Sequence, residues 1–212
     1  VFGVLEHPEE RVVLRAVDAL AAKGWKIQVL LPNDLPYTGG LSAALGERRC
    51  EVRSMELGIL RRSCLKPWRF PAYLLRLAGA VRRVAGIVRE GKFDVVYSAT
   101  SAVLAAGPAA ARAHCPHVWH LHELLDRPRV LVRLLARFLC RYATRIIAVS
   151  QAVRAHWTLL DRRLAPKMQV IHNGLDLAYY DAPQDRDGVR RQLGAAPKDV
   201  LVGRFGRLGR WK

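Results

Sequence analysis

Several features that define particular protein classes are missing from this 212-residue sequence. It has no low-complexity tract, no clear internal repeat and no run of about 18 uncharged apolar residues that would indicate a transmembrane helix. The serine motif GxSxG and the P-loop are absent, and no GxGxxG fingerprint follows the first predicted strand. These absences disfavour a membrane-spanning protein, a serine hydrolase with that motif, a P-loop NTPase and a nicotinamide enzyme.

Cysteine is scarce and scattered. The residues Cys50, Cys64, Cys115 and Cys140 form no CxxC pair, so the sequence indicates neither a zinc knuckle nor a disulfide framework. Reduced thiols are typical of proteins in the cytoplasm, and we expect a cytoplasmic location.

Acidic residues are few compared with basic ones. The chain has 18 Asp and Glu against 35 Lys and Arg, which gives a net charge of +17. This charge favours an anionic partner, such as nucleic acid, a phospholipid surface or nucleotide phosphates. A high-GC genome also raises the arginine content, so charge alone does not choose among these explanations.

The apolar runs predict strands that alternate with helices. Short runs predict strands at Val1–Leu5, Lys26–Leu31, Cys50–Arg53, Asp94–Ser98, His117–Leu121, Arg145–Ser150, Met168–His172 and Val200–Phe205. Longer stretches predict helices at Pro8–Lys23, Pro71–Arg89, Ser101–Ala113, Val130–Tyr142, Gln151–Leu160 and Gly188–Leu193. This alternation indicates an α/β fold with a doubly wound parallel sheet, in which ligands bind beyond the carboxyl ends of the strands.

The segment HVWHLHE, His117–Glu123, concentrates polar side chains at the end of a predicted strand. Two histidines two residues apart on one strand face can chelate a metal, but no third ligand follows at a suitable spacing. Histidines hydrogen-bonded at a strand end are a second explanation. A binding or catalytic role for His122 and Glu123 is the third and the favoured one, because ligands bind at this end of a strand. Here His117 is expected at the surface, and Trp119 in packing contacts.

Two segments mix basic and apolar residues. Between Leu60 and Arg89 there is no acidic residue, and candidates for contact with an anionic membrane surface are Arg61, Arg62, Lys66, Trp68, Arg69 and Phe70. A second set recurs every four residues: Arg129, Arg133, Arg137, Arg141 and Arg145. On a helix this spacing produces an arginine row, which either binds an anion or is simply solvated.

The carboxyl-terminal region predicts a domain boundary. We expect a first domain over 1–172, a polar linker over 173–187 and the opening of a second domain over 188–212. The final loop contains Gly206, Arg207 and Lys212, where glycine allows close approach of a phosphate and the two cations can bind it.

Six segments carry a family resemblance. They are ALAAKGWKIQVLLP (Ala19–Pro32), FDVVYS (Phe93–Ser98), HVWHLHE (His117–Glu123), ATRIIAVSQAV (Ala143–Val153), VIHNGLD (Val170–Asp176) and GRLGRWK (Gly206–Lys212). Taken in order over nearly the whole chain, they resemble the amino-terminal half of GT-B fold glycosyltransferases, specifically the retaining enzymes of family 4.

The resemblance implies two Rossmann-like domains, the first binding an acceptor and the second a nucleotide sugar. It implies that His122 lies beside the donor sugar, that Asn173 and Gly174 are linker residues, and that Arg207 and Lys212 neutralise the donor diphosphate. Family members generally need no metal, so no cofactor is expected. One departure is the acidic Glu6-His7-Pro8-Glu9-Glu10 segment, where relatives commonly have a glycine-rich loop.

The expected function is transfer of a hexose from a nucleoside diphosphate sugar to a glycan or lipid-linked acceptor, with retention of configuration, in cell-envelope glycan biosynthesis. An anionic membrane surface is an additional expected partner, at the inner face of the cell membrane. The 212-residue fragment alone is expected to be inactive. The alternatives are a non-enzymatic basic module that binds nucleic acid or another anion, which the α/β pattern disfavours, and a metal-dependent hydrolase.

Overall fold

The computed structural model describes residues 8–33, 40–48, 50–174, 185–196 and 198–203. Its strands are β1 Gln28–Pro32, β2 Glu51–Met55, β3 Val96–Ser98, β4 His117–Leu121, β5 Arg145–Ala148 and β6 Met168–Val170. Its helices are α1 Pro8–Ala21, α2 Gly40–Glu47, α3 Phe70–Glu90, α4 Ala106–Arg112, α5 Arg129–Tyr142, α6 Gln151–Leu160 and α7 Arg186–Gln192. Short 3₁₀ turns cover Arg62–Leu65 and Arg162–Lys167. The predicted alternation of strands and helices is confirmed.

All strand pairs within the described sheets are parallel. Strand β1 pairs with β2, and a second sheet has the order β3-β4-β5-β6. Helices connect successive strands, as parallel pairing requires. The α/β fold class with parallel sheets is therefore confirmed, and β4 lies inside its sheet, between β3 and β5.

The hydrophobic core divides into three clusters of buried side chains. The largest joins β4 and β5 to α5 and α6 through residues such as Trp119, Ile146, Leu139 and Trp157. A second lies against α3 and α4, and a third joins α1 and α2 to β1 and β2. The largest cluster surrounds the carboxyl half of β4, so burial there fixes the position of the residues that follow the strand.

Some predicted elements differ from the structure. Helix α2 was not predicted, and α4 begins at Ala106 rather than Ser101 because residues 101–105 form turns and a bridge to another loop. The strand predicted at Val200–Phe205 is absent from the described residues 200–203. The predicted strand Val1–Leu5 lies outside the described residues, as do Gly206, Arg207 and Lys212.

The contacts within the chain form two compact units. The first comprises residues 1–173 and the second residues 174–212. In the second unit, α7 begins after Asp185, whose side chain accepts a hydrogen bond from the Gly188 amide at 2.8 Å. Asn173 and Gly174 thus stand at the division between the units, and their linker role stays a prediction.

Candidate functional site

The segment HVWHLHE forms β4 and the first residues after it. His117, Trp119, His120 and Leu121 are buried, whereas His122 and Glu123 are half-buried beyond the carboxyl end of the strand. Helices cover both faces of a parallel sheet, so side chains on both faces of β4 are buried here.

His117 is a core residue, and its expected surface position is wrong. It is only 1% exposed, and its Nε2 lies 2.9 Å from the Ser98 hydroxyl on β3. Burial lowers the pKa of His117 to about 4, so the imidazole is neutral at physiological pH. His117 therefore connects β3 to β4 as a polar group inside the core.

His120 is paired with a tyrosine on the neighbouring strand. The Tyr97 hydroxyl lies 2.5 Å from Nδ1 of His120, while Nε2 of this histidine is buried without a hydrogen-bond partner among the described residues. Burial, and to a smaller extent the nearby His122, lowers the pKa of His120 to about 4. Burial also raises the pKa of Tyr97 to about 12. Both groups are therefore neutral at physiological pH.

The Glu123 carboxylate is held by the loop that follows β3. The Thr100 hydroxyl donates to Oε1, and the backbone amides of Ser101 and His122 lie 3.5 Å and 3.3 Å from Oε2. Charge-assisted hydrogen bonds of this kind are stronger than neutral ones. Glu123 thus ties the residue after β4 to the residues after β3.

Two buried indoles donate hydrogen bonds to the backbone of the loops that follow β3 and β4. Nε1 of Trp119 donates to the Thr100 carbonyl at 2.8 Å, and Nε1 of Trp157 on α6 donates to the Glu123 carbonyl at 3.1 Å. Both tryptophans are fully buried. The backbone on either side of the Glu123 carboxylate is therefore anchored to the core.

We call Glu123 and its partners Thr100 and Ser101 the clamp. His122 lies next to this clamp, and its imidazole is available for other contacts. Its ring centroid is 4.2 Å from that of His120. Within the described part of the chain, no hydrogen bond engages the His122 ring nitrogens. A half-buried imidazole on an anchored backbone can donate to or accept from a ligand at the edge of the sheet.

No set of three or more His, Cys, Asp or Glu side chains among the described residues is arranged to hold a metal ion. Instead, His117 contacts Ser98, and His120 contacts Tyr97 and the ring of His122.

The residues expected to face a membrane lie before and at the start of α3. Trp68 is 71% exposed, Lys66, Arg69 and Phe70 are exposed, and Arg61 is half-buried. The side chain of Arg62 is outside the described part of the structure. None of the described helices is long and apolar enough to cross a bilayer.

The predicted arginine row is present on α5. The exposed residues Arg129, Arg133, Arg137 and Arg141 follow one another along the helix, and Arg145 is exposed on β5 rather than on the same helix. The opposite face of α5 buries Val132, Leu135, Ala136 and Leu139 in the core. Core packing thus explains the apolar residues that lie between the arginines of α5.

The sequence profile named Glycosyltransferase Family 4 matches residues 10–179, most of the chain. The chain belongs to glycosyltransferase family 4. This match covers the strands, the histidine segment and the clamp described above. No curated protein sequence matches the chain.

The family 4 chain is similar in fold to solved structures of Alr3699/HepE from Anabaena. The complex of that protein with UDP is 24% identical, with a TM-score of 0.62, and the match covers 89% of this chain and 47% of the other. For the complex with UDP and glucose the identity is 22%, the TM-score 0.61 and the coverage 92% and 48%. The chain therefore spans about half the length of these structures. The expected GT-B amino-terminal, Rossmann-like fold is confirmed.

Sequence reasoning selected His122 and Glu123 but missed the residues that hold them. Tyr97 and Thr100 belong to β3 and its following loop, and their roles depend on the alignment of β3 with β4. The polar side chains at the end of β3 are the signal that was available, because neighbouring parallel strands end at the same edge of a sheet.

Proposed function

We propose that the protein is a retaining glycosyltransferase that transfers a hexose from a nucleoside diphosphate sugar to a glycan or lipid-linked acceptor, as a step in the synthesis of a cell-envelope glycan. Membership of family 4 supports this proposal. The solved HepE structures, which contain UDP or UDP and glucose, support a nucleotide-sugar donor. The observation that carries the proposal is the anchored His122 at the carboxyl end of β4, with its imidazole nitrogens free of hydrogen bonds to the described residues.

In this proposal, His122 contacts the donor sugar or its phosphate. An imidazole ring nitrogen can donate a hydrogen bond to a phosphate oxygen or to a sugar hydroxyl. Contacts that strengthen as charge develops on the leaving group accelerate the reaction.

Glu123, His120 and Tyr97 position His122. The Glu123 carboxylate already accepts from Thr100, which makes it a poor candidate for direct proton transfer and a good anchor for the backbone. The His120 ring lies against His122 and is itself oriented by Tyr97. Residues locked by such supporting contacts keep a catalytic group near its productive geometry.

The donor diphosphate is assigned to the loop containing Gly206, Arg207 and Lys212. These residues lie outside the described part of the structure, and their assignment rests on the family motif. Two cations at the leaving diphosphate supply the charge neutralisation that a metal supplies elsewhere, so no metal cofactor is included in the proposal.

The proposed location is the cytoplasmic face of the cell membrane. Supporting it are the exposed apolar side chains of Trp68, Phe70, Leu74 and Leu75, which alternate with basic residues at the start of α3. Apolar side chains beside cations are suited to a surface of anionic lipid.

The transfer activity is tested by incubating the full-length protein with a panel of nucleoside diphosphate hexoses and glycan or lipid-linked acceptors. The expected result is release of the nucleoside diphosphate with formation of a glycoside, whose anomeric coupling in proton NMR matches that of the donor. A glycoside of opposite configuration would contradict retention, and failure of every donor to bind would contradict the proposed reaction class.

Membrane association is tested by flotation with vesicles of phosphatidylglycerol or of phosphatidylcholine. Trp68→Ser with Leu75→Ser should reduce recovery with the anionic vesicles. Leu159→Ser is the matched control, because Leu159 is 85% exposed on α6. Equal recovery with both lipids would exclude the proposed location.

A further inference from the structure

A small pocket lies between the end of β2 and the start of α3. It has a volume of about 280 Å³ and is formed by the loop after Met55 together with the first turns of α3. Ile59 in this loop forms an antiparallel bridge with Val103, and the Leu60 amide donates to the Ala102 carbonyl at 3.0 Å. These contacts join it to the loop after β3 that holds Glu123, so the pocket lies at the same edge of the fold as His122.

Three arginines line the pocket against a single carboxylate. The guanidinium groups belong to Arg61, Arg69 and Arg76, and the carboxylate of Glu56 already accepts from the Gly58 amide at 2.8 Å. Within the described residues, neither Arg69 nor Arg76 forms an ion pair. An anion in the pocket would therefore meet at least two arginines, Arg69 and Arg76, that no carboxylate of the described residues pairs with.

One wall of the pocket is formed by a buried tyrosine and a constrained glycine. Tyr73 is buried, and its hydroxyl donates to the Gly58 carbonyl at 3.2 Å. Gly58 has a φ of +61°, and a Cβ there would come within 3.1 Å of the Leu77 backbone. This residue is restricted to glycine by both conformation and space. A preformed wall lowers the entropy lost when a ligand binds.

The lining groups match the chemistry of a phosphate. Guanidinium groups bind phosphate oxygens through paired hydrogen bonds, and Ser63 also lines the pocket. Helix α3 also begins here without an acidic residue in its first turn or a side-chain cap, which leaves its positive amino-terminal end uncompensated.

The size of the pocket limits what it can hold. Sites for drug-sized ligands usually have volumes of roughly 300–1,000 Å³, and this pocket is slightly smaller. It can hold a phosphate and the first atoms attached to it, but not a nucleotide sugar. The acceptor is the remaining substrate of the proposed reaction.

We propose that the arginine pocket, formed around Arg61, Arg69 and Arg76, binds a phosphate group of the acceptor. This inference rests on the proposed glycosyl transfer and narrows its acceptor to a phosphate-bearing molecule. The phosphate belongs either to a soluble phosphorylated acceptor or to a lipid headgroup, and both present the same oxygens to the arginines.

The test is calorimetric titration of the full-length protein with inorganic pyrophosphate, in the presence of saturating UDP so that the donor site does not contribute. Arg69→Ala with Arg76→Ala should weaken binding at least about tenfold, because hydrogen bonds between charged groups are lost. Arg82→Ala with Arg112→Ala is the matched control, since both residues are exposed and the net charge changes equally. Its affinity should change less than about twofold, since remote exposed charges are screened by salt.

Two further measurements distinguish a soluble acceptor from a lipid headgroup, and the phosphate site from the proposed glycosyl transfer. Glycerol phosphate competing for the pocket supports a soluble acceptor, whereas arginine-dependent flotation with phosphatidylglycerol but no soluble binding supports a lipid headgroup. If neither form of binding depends on Arg69 and Arg76 more than on the control pair, the phosphate site is wrong. Nucleotide-sugar binding, measured on the same proteins, reports separately on the proposed function and should survive in the Arg69 and Arg76 variant.

Discussion

The hydroxyl of Tyr97 on β3 lies 2.5 Å from Nδ1 of His120 on β4, and the other nitrogen of this histidine is buried without a partner among the described residues. The His120 ring in turn contacts the ring of His122. Tyr97 on β3 therefore orients His120 on β4, and His120 in turn orients His122 beyond the end of the strand.

Tyr97→Phe should test this relationship. Loss of the hydroxyl leaves both nitrogens of His120 unpaired, which should lower the free energy of unfolding by about 1–3 kcal/mol. We also expect kcat for sugar transfer to fall several-fold with little change in KM for the donor. Tyr142→Phe is the control, because the Tyr142 hydroxyl forms no hydrogen bond with a described residue. Equal kcat values in the two variants would exclude a positioning role for Tyr97.

The clamp on Glu123 gives a second prediction. Thr100→Val keeps the shape of the side chain but removes the hydroxyl that donates to the carboxylate. The variant should lose about 1.5–3 kcal/mol of unfolding free energy, the usual contribution of a hydrogen bond to a charged group. Thr158→Val is the control, since its hydroxyl bonds only to carbonyls within α6. Chemical denaturation measures both, and equal losses would show that the clamp contributes nothing specific.

The buried histidines predict how stability depends on pH. The pKa values of His117 and His120 are lowered to about 4 in the folded state, whereas an unfolded histidine titrates near 6.5. Between these values the unfolded chain binds more protons, so stability is fully present above pH 6.5 and falls as the pH decreases toward 4. The loss should be on the order of 3 kcal/mol per histidine at most.

Urea denaturation from pH 7.5 to 4.5 measures this slope. His117→Gln should reduce it, because glutamine can keep a hydrogen bond to Ser98 without titrating. His114→Asn is the control, since His114 is exposed. A slope that is unchanged in His117→Gln would show that folding does not lower the pKa of His117.

The close packing of Gly107 against Tyr142 and Trp119 gives a fourth prediction. A Cβ on Gly107 of α4 would lie 2.8 Å from Cβ of Tyr142 and 3.2 Å from the Trp119 ring. Gly107→Ala should therefore lower the free energy of unfolding by about 1–3 kcal/mol. Gly46→Ala on α2 meets no atom within 4 Å and should be neutral or stabilising by up to about 1 kcal/mol. The opposite order of stabilities would contradict the described contact.

Local patterns predicted the strand-helix alternation because each element carries its own apolar periodicity. The bounds of β4 and α6 agree with their predictions to the residue. Helix α2, with the sequence GLSAALGE, was missed because it is short and contains two glycines, which have a low helix propensity.

The candidate site was only partly predictable, because its supporting contacts join distant parts of the chain. The position of His122 after β4 follows from the strand pattern alone. The partners Ser98 and Tyr97 for the preceding histidines depend on how β3 aligns with β4, and the partner Thr100 for Glu123 depends on the turn after β3. The polar residues at the end of β3 indicate candidate partners, but a single sequence gives neither the alignment of the two strands nor the conformation of the turn.

The proposed role of His122 in glycosyl transfer is tested by His122→Ala in the full-length protein. Transfer should fall by about 100-fold or more, the usual effect of removing a group that stabilises developing charge. The unfolding midpoint should stay close to that of the wild type, because the His122 imidazole makes no hydrogen bond to a described residue. Unchanged turnover in a folded His122→Ala protein would contradict the account.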